Sequence, residues 1–231
     1  MEKKILITGT TSGLGKDLAK FYLKKNFKVI GIARRKKLIR DKNYFHYSFD
    51  LSAKNNSYQK IKKIFRLHKD IKYLINNHAS NNSYGLLVTN ENEKIKSDIR
   101  LNIISNIVLT KFAAMMMIKN GYGRIVNIGS IASELCLPGD AVYASSKSFL
   151  QTFTKITGKE LKNFGISCNM ISISLYNGSL IKNISDTQIK KIKKKYKMKN
   201  LIKLEQITSY LDKNIFTEKI KVNSKIYKIF N

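Results

Sequence analysis

Proline, cysteine and tryptophan are scarce in this sequence: its 231 residues include one proline, two cysteines and no tryptophan. The cysteines, Cys136 and Cys168, lack metal-ligand spacing, so we expect reduced thiols, no metal site and a cytoplasmic location. No run of about 18 or more apolar residues occurs, which disfavours a membrane-spanning helix. Met1–Lys4 leads directly into a strand-like segment, which disfavours a cleavable signal peptide. With 43% apolar and 26% charged residues, the chain can bury a full hydrophobic core.

Acidic residues are also few: 15 Asp and Glu stand against 44 Lys and Arg, giving a net charge of +29. Such a charge suggests nucleic-acid binding. However, 38 of the basic residues are Lys and 6 are Arg, and the chain also holds 32 Ile and 22 Asn. Lys, Ile and Asn share A/T-rich codons, so a coding bias explains the whole set. A nucleic-acid binder is expected to use more Arg, whose planar guanidinium suits phosphates and bases.

Short β-branched segments alternate along the chain with longer amphipathic ones. Six strands are predicted, at Lys4–Thr8, Lys28–Ala33, Tyr44–Ser48, Tyr73–Asn76, Arg124–Ile128 and Ser167–Ile173. Ser224–Ile229 is predicted as a last strand, and Leu14–Lys25 and Tyr58–His68 carry apolar residues at helical spacing. Strands alternating with helices indicate parallel βαβ units, whose crossovers are right-handed. We therefore predict an α/β fold: a Rossmann-like doubly wound parallel sheet in a single domain.

A glycine-rich segment, Thr8-Gly9-Thr10-Thr11-Ser12-Gly13-Leu14-Gly15, follows the first predicted strand and leads into a helix. Glycine lacks a Cβ, so a diphosphate can lie against the main chain, while the helix N-terminus is directed at the phosphates. The alternative is an ordinary glycine-rich turn. The cofactor-binding residues predicted here are Thr8, Gly9, Ser12, Gly13, Leu14 and Gly15.

The spacing Thr-Gly-x3-Gly-x-Gly resembles the short-chain dehydrogenase/reductase family. This resemblance implies that Asp50, after the third strand, lies near the adenine of a nicotinamide cofactor. It also aligns Asn76-Asn77-His78-Ala79 with the Asn-Asn-Ala-Gly that the family carries after its fourth strand. Asn77 is therefore expected to bind cofactor, whereas His78, which replaces the family's alanine, is expected to be a structural or surface residue and not catalytic.

Four further residues extend the resemblance. Tyr143 and Lys147 are one helical turn apart, so both side chains share a face. Ser130 follows the predicted strand Arg124–Ile128, and Asn102 lies in an upstream helical segment. A Tyr-x3-Lys pair alone is common, but the set matches the family's Asn, Ser, Tyr and Lys tetrad in order and spacing. The resemblance covers roughly residues 3–180 and includes members like the 3-oxoacyl-(acyl-carrier-protein) reductases.

The chemistry of the tetrad can be argued from its groups. When a ketone is reduced, its oxygen needs a proton and a hydrogen-bond donor. Tyr143 can supply the proton and Ser130 the hydrogen bond. The ordinary tyrosine pKa of about 10 is too high for efficient exchange, and we expect the Lys147 ammonium to lower it. The resemblance further implies that Tyr143 and Lys147 contact the cofactor, and that Asn102 holds a water that relays protons towards Lys147.

Arg34 and Arg35 follow the second predicted strand, where an acidic residue would bind the adenosine ribose 2′-hydroxyl. An arginine at this place pairs instead with a 2′-phosphate. Two of the six arginines lie at this turn, which a coding bias towards lysine does not explain. The sequence therefore favours NADP(H) as the cofactor.

The family's pattern weakens after the sixth predicted strand. Where the family has Pro-Gly and then a cofactor-contacting Thr, this chain has Ile173, Ser174 and Gly178. Ser179 or the Asn177-Gly178 turn is then left to replace the threonine. We expect a substrate lid at about residues 175–204. Its lysine-rich run, Lys190–Lys199, is either the solvated face of a helix or a landing site for an acidic substrate or carrier.

These observations favour a hydride-transferring oxidoreductase that acts on a carbonyl or secondary alcohol. Its substrate would be a small molecule or a carrier-bound 3-oxoacyl group, with a nucleotide-linked sugar as the alternative. A non-catalytic regulatory or nucleic-acid-binding role is a further alternative, against which the complete tetrad argues. We expect a cofactor-binding half at about residues 1–120 and a catalytic half at about 121–231. By resemblance, helices near Lys94–Lys119 and Ala141–Phe164 would pair in a homodimer or homotetramer.

Overall fold

Seven parallel strands form one sheet in the computed structural model, which describes residues 3–36, 38–54, 57–176 and 200–230, together with 187, 190, 193 and 194. The strands are β1 Lys4–Thr8, β2 Lys28–Ala33, β3 Tyr44–Ser48, β4 Tyr73–Asn76, β5 Gly123–Ser130, β6 Ile166–Ile173 and β7 Ile226–Ile229. The first four agree with the predicted bounds, and β5 to β7 differ from them by a few terminal residues. The predicted doubly wound parallel fold is confirmed.

The order of the strands is β3-β2-β1-β4-β5-β6-β7. The order therefore reverses direction between β1 and β4, which lie side by side with Ile5 opposite Tyr73. At such a switch point the loops that follow the two strands separate and leave a crevice for a ligand beyond the carboxyl edge. The glycine-rich segment follows β1, and Asn77 follows β4, so both lie at this crevice.

Helices cover both faces of the sheet. Their bounds are α1 Gly13–Lys24, α2 Ser57–Leu67, α3 Asn92–Ile99, α4 Ser105–Asn120, α5 Ala132–Leu135, α6 Ala141–Leu161 and α7 Leu204–Tyr210. Short 3-10 turns lie at Leu87–Thr89 and Lys162–Phe164, and π-helical turns lie at Arg100–Ile104 and Leu211–Ile215. The helices predicted from apolar spacing thus appear where expected, each shifted by about one residue.

The core consists of two apolar clusters, one on each face of the sheet. Alternate residues of β1 contribute to different clusters. Ile5 and Ile7 belong to the cluster that contains residues of α1 and α7, and Leu6 belongs to the cluster that contains residues of α2 and α4. Successive strand residues point to opposite faces, so this central strand supplies both clusters. Its burial on both faces explains why Ile5, Leu6 and Ile7 are apolar without alternation.

One continuous helical stretch, Asn92–Asn120, is long and apolar enough to span a bilayer, although its sequence contains charged residues. Half of its most apolar window is buried in the fold. Leu109 and Met117 are fully buried in the cluster shared with α2. Burial against the sheet accounts for the apolar character of this stretch.

Candidate active site

The predicted site residues approach one another at the carboxyl edge of the sheet. Thr8 ends β1, Asn77 directly follows β4, and Ser130 ends β5. Asn127 of β5 lies opposite Asn76, the last residue of β4, so β5 extends three residues farther and carries Ser130 beyond the end of β4. The topology therefore brings together groups that lie far apart along the chain.

The backbone of the glycine-rich loop takes a conformation that favours glycine. Gly9 and Gly13 have φ angles of 76° and 51°, a left-handed conformation that other residues adopt at a cost. A Cβ on Gly9 would also come within 2.9 Å of Asn77 Nδ2. Ser12, which precedes α1, makes no side-chain hydrogen bond to the first turn of the helix. The first amides of α1 thus keep their donor capacity for a ligand.

Thr8 links the ends of β1 and β4. Its hydroxyl oxygen accepts hydrogen bonds from the Asn77 amide at 2.9 Å and the His78 amide at 3.2 Å. The Asn77 side chain donates back to the Thr8 carbonyl oxygen at 2.9 Å. These hydrogen bonds hold the loop after β4 against the glycine-rich loop. They form although Ala79 stands where the family carries a glycine, two residues after Asn77.

His78 is buried and connects three elements. Its Nδ1 lies 2.7 Å from the Thr8 hydroxyl, and its Nε2 faces the Leu101 carbonyl oxygen at 3.1 Å and the Ser105 hydroxyl. Burial and the nearby Lys147 lower the pKa of His78 to about 3, so the ring is neutral at physiological pH. This supports the expected structural role, because the ring ties β1 to the π-helical turn and has no free acid or base function.

Asn102 lies in the π-helical turn, and its amide side chain binds the backbone of Ser80. It donates to the Ser80 carbonyl oxygen at 2.8 Å and accepts from the Ser80 amide at 3.0 Å. The Asn102 carbonyl oxygen accepts a hydrogen bond from Asn106 Nδ2 at 2.8 Å. Buried Asp98 stabilises the same loop by accepting from the hydroxyls of Ser80 and Ser83. The side chain of Asn102 therefore orders the loop after β4.

Ser130 and Tyr143 meet through their side chains. The Ser130 side chain lies close enough to the Tyr143 hydroxyl to affect its pKa, and the Ser130 oxygen accepts a hydrogen bond from the Ala132 amide at 3.2 Å. Burial raises the pKa of Tyr143, the nearby Ser130 hydroxyl lowers it, and the charge of Asp140 raises it, with burial the largest effect. The expectation that Lys147 lowers this pKa is wrong for this structure, because the net direction is upward and Lys147 is not among its causes.

Lys147 is 4% exposed and lies on the same face of α6 as Tyr143. Its Nζ lies 5.6 Å from the centre of the Tyr143 ring and donates to the Ile128 carbonyl oxygen at 3.0 Å. Burial lowers the pKa of Lys147 to about 8. The ammonium is thus held below the phenol at a place where losing its proton is comparatively easy.

The three residues predicted at the adenosine end lie farther along the carboxyl edge. Arg34 and Arg35 are exposed just after β2, and their carbonyl oxygens are hydrogen-bonded by side chains of β3. Asp50 accepts from the Ser52 amide and hydroxyl, each at 2.8 Å, in a turn after β3. Its carboxylate therefore orders this turn, and its role towards an adenine stays a prediction.

Several residues that shape the site were not singled out in the sequence. Asp98, Asn106 and the β3 residues His46 and Ser48 occupy such positions. A polar residue in an otherwise apolar helical segment was the available signal for Asn106, whereas Asp98 lies in a polar segment and gave no such signal. Among the residues that the structure describes, no group of three or more His, Cys, Asp or Glu could hold a metal ion.

Part of the predicted lid lies outside the described residues. This applies to Gly178 and Ser179, which were expected to replace the family's threonine, and to most of Lys190–Lys199. The described residue Tyr176, just before that segment, donates to Asp17 of α1 at 2.8 Å. The chain that leaves β6 is thereby attached to the helix that follows the glycine-rich loop.

The fold and this edge define a doubly wound α/β protein with a glycine-rich loop and a Ser-Tyr-Lys cluster. The family model described as short chain dehydrogenase matches residues 3–189. The 3-oxoacyl-(acyl-carrier-protein) reductase FabG of Buchnera aphidicola subsp. Schizaphis graminum is 34% identical over 214 residues, which cover 90% of this chain and 87% of that protein. Carbonyl reductase family member 4 of Xenopus laevis is 28% identical and covers 83% of each chain. The chain belongs to the short-chain dehydrogenase family of oxidoreductases.

Solved structures show the same fold. A 4-hydroxyisoleucine dehydrogenase complexed with NADH superposes with a TM-score of 0.89 at 22% identity, covering 99% of this chain and 97% of that one. ElxO with NADP bound gives a TM-score of 0.79 at 24% identity, with the same coverage. At this level of identity the likeness establishes the architecture of the chain.

Proposed function

We propose that this protein is a nicotinamide-dependent carbonyl reductase, with Asn102, Ser130, Tyr143 and Lys147 as its catalytic set. The observation that carries the proposal is that the side chains of Ser130 and Tyr143 lie together above the buried ammonium of Lys147. This arrangement offers a proton donor, a second hydroxyl and a positive charge at one place. Reduction of a carbonyl needs all three, because negative charge develops on the carbonyl oxygen as its carbon is reduced.

The residues at the carboxyl edge fit a dinucleotide. The left-handed Gly9 and Gly13 leave backbone exposed where a side chain would stand, and the start of α1 supplies backbone amides that the Ser12 side chain does not cap, which suits a diphosphate. We assign the diphosphate to Thr8, Gly9, Ser12, Gly13, Leu14 and Gly15, the adenosine half to Arg34, Arg35 and Asp50, and the nicotinamide half to Asn77, Tyr143 and Lys147. A bound nicotinamide would supply the hydride and, once oxidised, a positive charge.

Tyr143 gives its proton to the carbonyl oxygen of the substrate, and Ser130 donates a hydrogen bond to the same oxygen. The raised pKa of Tyr143 keeps the phenol protonated before the reaction, so the acid is present throughout the neutral range. Lys147, whose Nζ lies 5.6 Å from the centre of the Tyr143 ring, holds the nicotinamide half of the cofactor beside that phenol. Asn102 acts by holding the loop after β4 and thus the floor of the site.

The preferred cofactor in this proposal is NADP(H), because two exposed arginines follow β2 where an acidic residue would favour NAD(H). Relatives of the same fold were solved with either cofactor, since ElxO carries NADP and the 4-hydroxyisoleucine dehydrogenase carries NADH. The charge of this turn therefore supports NADP(H) more directly than the fold does.

A 3-oxoacyl group on an acidic carrier is the substrate that we propose first. The name of the 34% identical Buchnera relative supports it, as do a second Buchnera relative of the same name at 30% identity and the net charge of +29 on this chain. A small neutral ketone is the second candidate, favoured by the likeness to carbonyl reductase family member 4. Comparing the two substrates at low and at physiological salt separates them, because only attraction to a carrier is screened.

The proposal is tested by oxidation of NADPH with 3-oxoacyl thioesters, quinones and sugar carbonyls. Tyr143→Phe should lower turnover by about 10²–10⁴-fold, the usual worth of general acid catalysis, and leave NADPH binding nearly unchanged. Tyr58→Phe is the matched control, since Tyr58 is 45% exposed on α2. Activity of the Tyr143→Phe variant equal to that of the wild type would refute the mechanism, and equal use of NADH and NADPH would refute the cofactor preference.

A further inference from the structure

A chain of hydrogen bonds runs from the glycine-rich loop to the turn that carries the two arginines. The Thr10 hydroxyl lies 2.7 Å from the Tyr44 hydroxyl, which lies 2.9 Å from His46 Nδ1. His46 Nε2 in turn lies 2.8 Å from the carbonyl oxygen of Arg35. The chain crosses β2 at Gly31, where a Cβ would come within 2.3 Å of the Tyr44 oxygen. Only glycine at that position leaves room for this contact between β3 and the loop.

The chemistry of the Arg35 acceptor fixes the direction of the last hydrogen bond in this chain. A carbonyl oxygen only accepts, so His46 Nε2 carries a proton and donates to Arg35. Its other ring nitrogen, Nδ1, is held by the Tyr44 hydroxyl, which is in turn hydrogen-bonded to the Thr10 hydroxyl. The orientation of the imidazole is therefore determined at both nitrogens.

Ser48 adds a second hold on the same turn. Its hydroxyl donates to the Arg34 carbonyl oxygen at 2.9 Å and lies 3.4 Å from that of Arg35. His46 and Ser48 stand two residues apart on β3, so they project from one face of the strand. Together they bind the main chain of both arginines from β3.

These side-chain bonds are additional to the backbone pairing of the sheet. β2 and β3 already pair over five residues, from Val29 opposite Tyr44 to Ala33 opposite Ser48. Arg34 and Arg35 lie beyond this pairing, and their side chains are exposed. The backbone position of the turn therefore depends on the two polar side chains of β3, and it sets where both guanidinium groups begin.

We infer that His46 and Ser48 are positioning residues for recognition of the 2′-phosphate of the adenosine ribose. The inference rests on the proposed function, in which Arg34 and Arg35 bind that phosphate. A guanidinium on an ordered backbone loses less conformational freedom when it binds, so a fixed turn raises affinity for the phosphate. An adenosine without a 2′-phosphate makes no such contact and gains nothing from this order.

The test uses two cofactor fragments, 2′,5′-ADP and 5′-AMP, whose binding to the protein is measured by calorimetry. His46→Ala and Ser48→Ala should each weaken 2′,5′-ADP by about five- to tenfold, or about 1.0–1.4 kcal/mol. Both should leave 5′-AMP within about twofold. The kcat/KM ratio of NADPH to NADH should fall by the same factor. His46→Gln should recover part of the loss, because its amide can donate to the Arg35 carbonyl oxygen.

His68→Ala is the control. His68 binds Tyr47 of β3 at 2.7 Å, and Tyr47 alternates with His46 and Ser48 along the strand, so this contact lies on its other face. The control variant should keep the preference for 2′,5′-ADP. A melting temperature for each variant shows that it is folded, and Ser48→Ala provides the test if His46→Ala does not fold.

The outcomes separate this inference from the proposal beneath it. If the wild type binds 2′,5′-ADP no better than 5′-AMP, the proposed NADP(H) preference fails and the positioning role fails with it. If the wild type discriminates but folded His46→Ala and Ser48→Ala discriminate equally well, the positioning role alone is overturned. An equal loss for both fragments also overturns it, since that pattern indicates general damage to the sheet edge.

Discussion

Lys147 shows how burial at a single residue changes the chemistry expected from the sequence. A Tyr-x3-Lys pair suggests a charge that lowers the phenol pKa, but here burial dominates at both residues. It raises the pKa of Tyr143 and lowers the pKa of Lys147 from 10.5 to about 8. Spacing placed the two groups together, whereas their degree of desolvation depends on the residues packed around them.

The buried charge leads to a prediction about stability. The folded-state pKa of Lys147 lies below the unfolded value, so the unfolded chain binds the proton more tightly between about pH 8 and 10.5. The free energy of unfolding should therefore rise with pH in that window, and the full penalty, about 3 kcal/mol, applies below pH 8. Lys147→Met should be as stable as the wild type or more stable at pH 7, because methionine fills a similar volume without the charge.

The same variant should lose cofactor affinity and turnover, which gives the prediction two independent readouts. Urea unfolding at pH 7 and pH 10 measures the first, and NADPH titration measures the second. The stability advantage over the wild type should shrink at the higher pH. Lys147→Ala, which leaves a cavity, separates the effect of charge from that of packing. A Lys147→Met protein destabilised by more than about 2 kcal/mol at pH 7 would contradict the charge penalty.

At the scale of elements, the loop after β1 is the part whose geometry depends most on glycine. Gly9 and Gly121 have similar left-handed φ angles, 76° and 65°, but differ in their surroundings. A Cβ on Gly9 would meet Asn77 Nδ2 at 2.9 Å, while a Cβ on Gly121 would meet nothing within 4 Å. The two glycines therefore form a matched pair with equal backbone strain and unequal crowding.

Gly121→Ala should lower the free energy of unfolding by about 1–2 kcal/mol, the ordinary cost of a left-handed alanine. Gly9→Ala should lower it further and should also weaken cofactor binding by tenfold or more, because Asn77 must move. Chemical unfolding and NADPH titration of both variants provide the measurement. Equal effects of the two substitutions on cofactor binding would show that the loop after β1 has no special part in it.

The contribution of tertiary structure to an element is clearest in the π-helical turn Arg100–Ile104. The resemblance to the family predicts one helix near Lys94–Lys119 through this region. The structure has α3, then the π-helical turn, then α4. Asn102 in that turn binds the backbone of Ser80, a contact between segments distant along the chain. Local periodicity contains no information about this partner, so the irregular turn could not be predicted.

At the scale of the whole molecule, Arg124 attaches the C-terminal region to the sheet. Its side chain, which is 1% exposed, donates to four carbonyl oxygens, those of Gly123, Gly165, Thr217 and Glu218. It also stacks on Tyr122 with 4.1 Å to the ring centre. The buried guanidinium is thus bound by neutral carbonyl groups. Through these hydrogen bonds Arg124 joins the segment after α7 to the start of β5.

Arg124→Met should lower the free energy of unfolding by about 2–4 kcal/mol, because several buried carbonyl oxygens lose charged donors at once. It should also expose the segment around Thr217 to proteolysis. Arg66→Met is the control, since Arg66 is exposed on α2. Chemical unfolding and limited proteolysis measure these effects. An Arg124→Met protein as stable as Arg66→Met would show that Arg124 does not attach the C-terminal region to the sheet.

The predicted association through α4 and α6 also belongs to this scale. Phe112 and Met117, two apolar residues of α4, are buried in the core. Exposed apolar residues nevertheless remain on these helices: Ile107 is 36%, Met115 is 49% and Ile156 is 52% exposed. A surface of this kind favours contact with a second copy, as expected for a homodimer or homotetramer.

Light scattering at micromolar concentration should therefore give the mass of a dimer or tetramer. Ile107→Lys should shift that mass towards 26.5 kDa, because a charge then faces the apolar contact. Leu67→Lys, at an exposed leucine on α2, should leave the assembly unchanged. A monomer mass for the wild type would reject the association.

The sequence by itself determined the strands, the glycine-rich loop and the order of the tetrad. These features are local, because alternation, left-handed glycines and the four-residue spacing of Tyr143 and Lys147 are properties of short segments. Only the tertiary structure decided the state of those groups. The neutral His78, the raised pKa of Tyr143 and the hold of β3 on the arginine turn all arise where distant segments meet. Burial and partner geometry set these properties, and neither can be read from one stretch of chain.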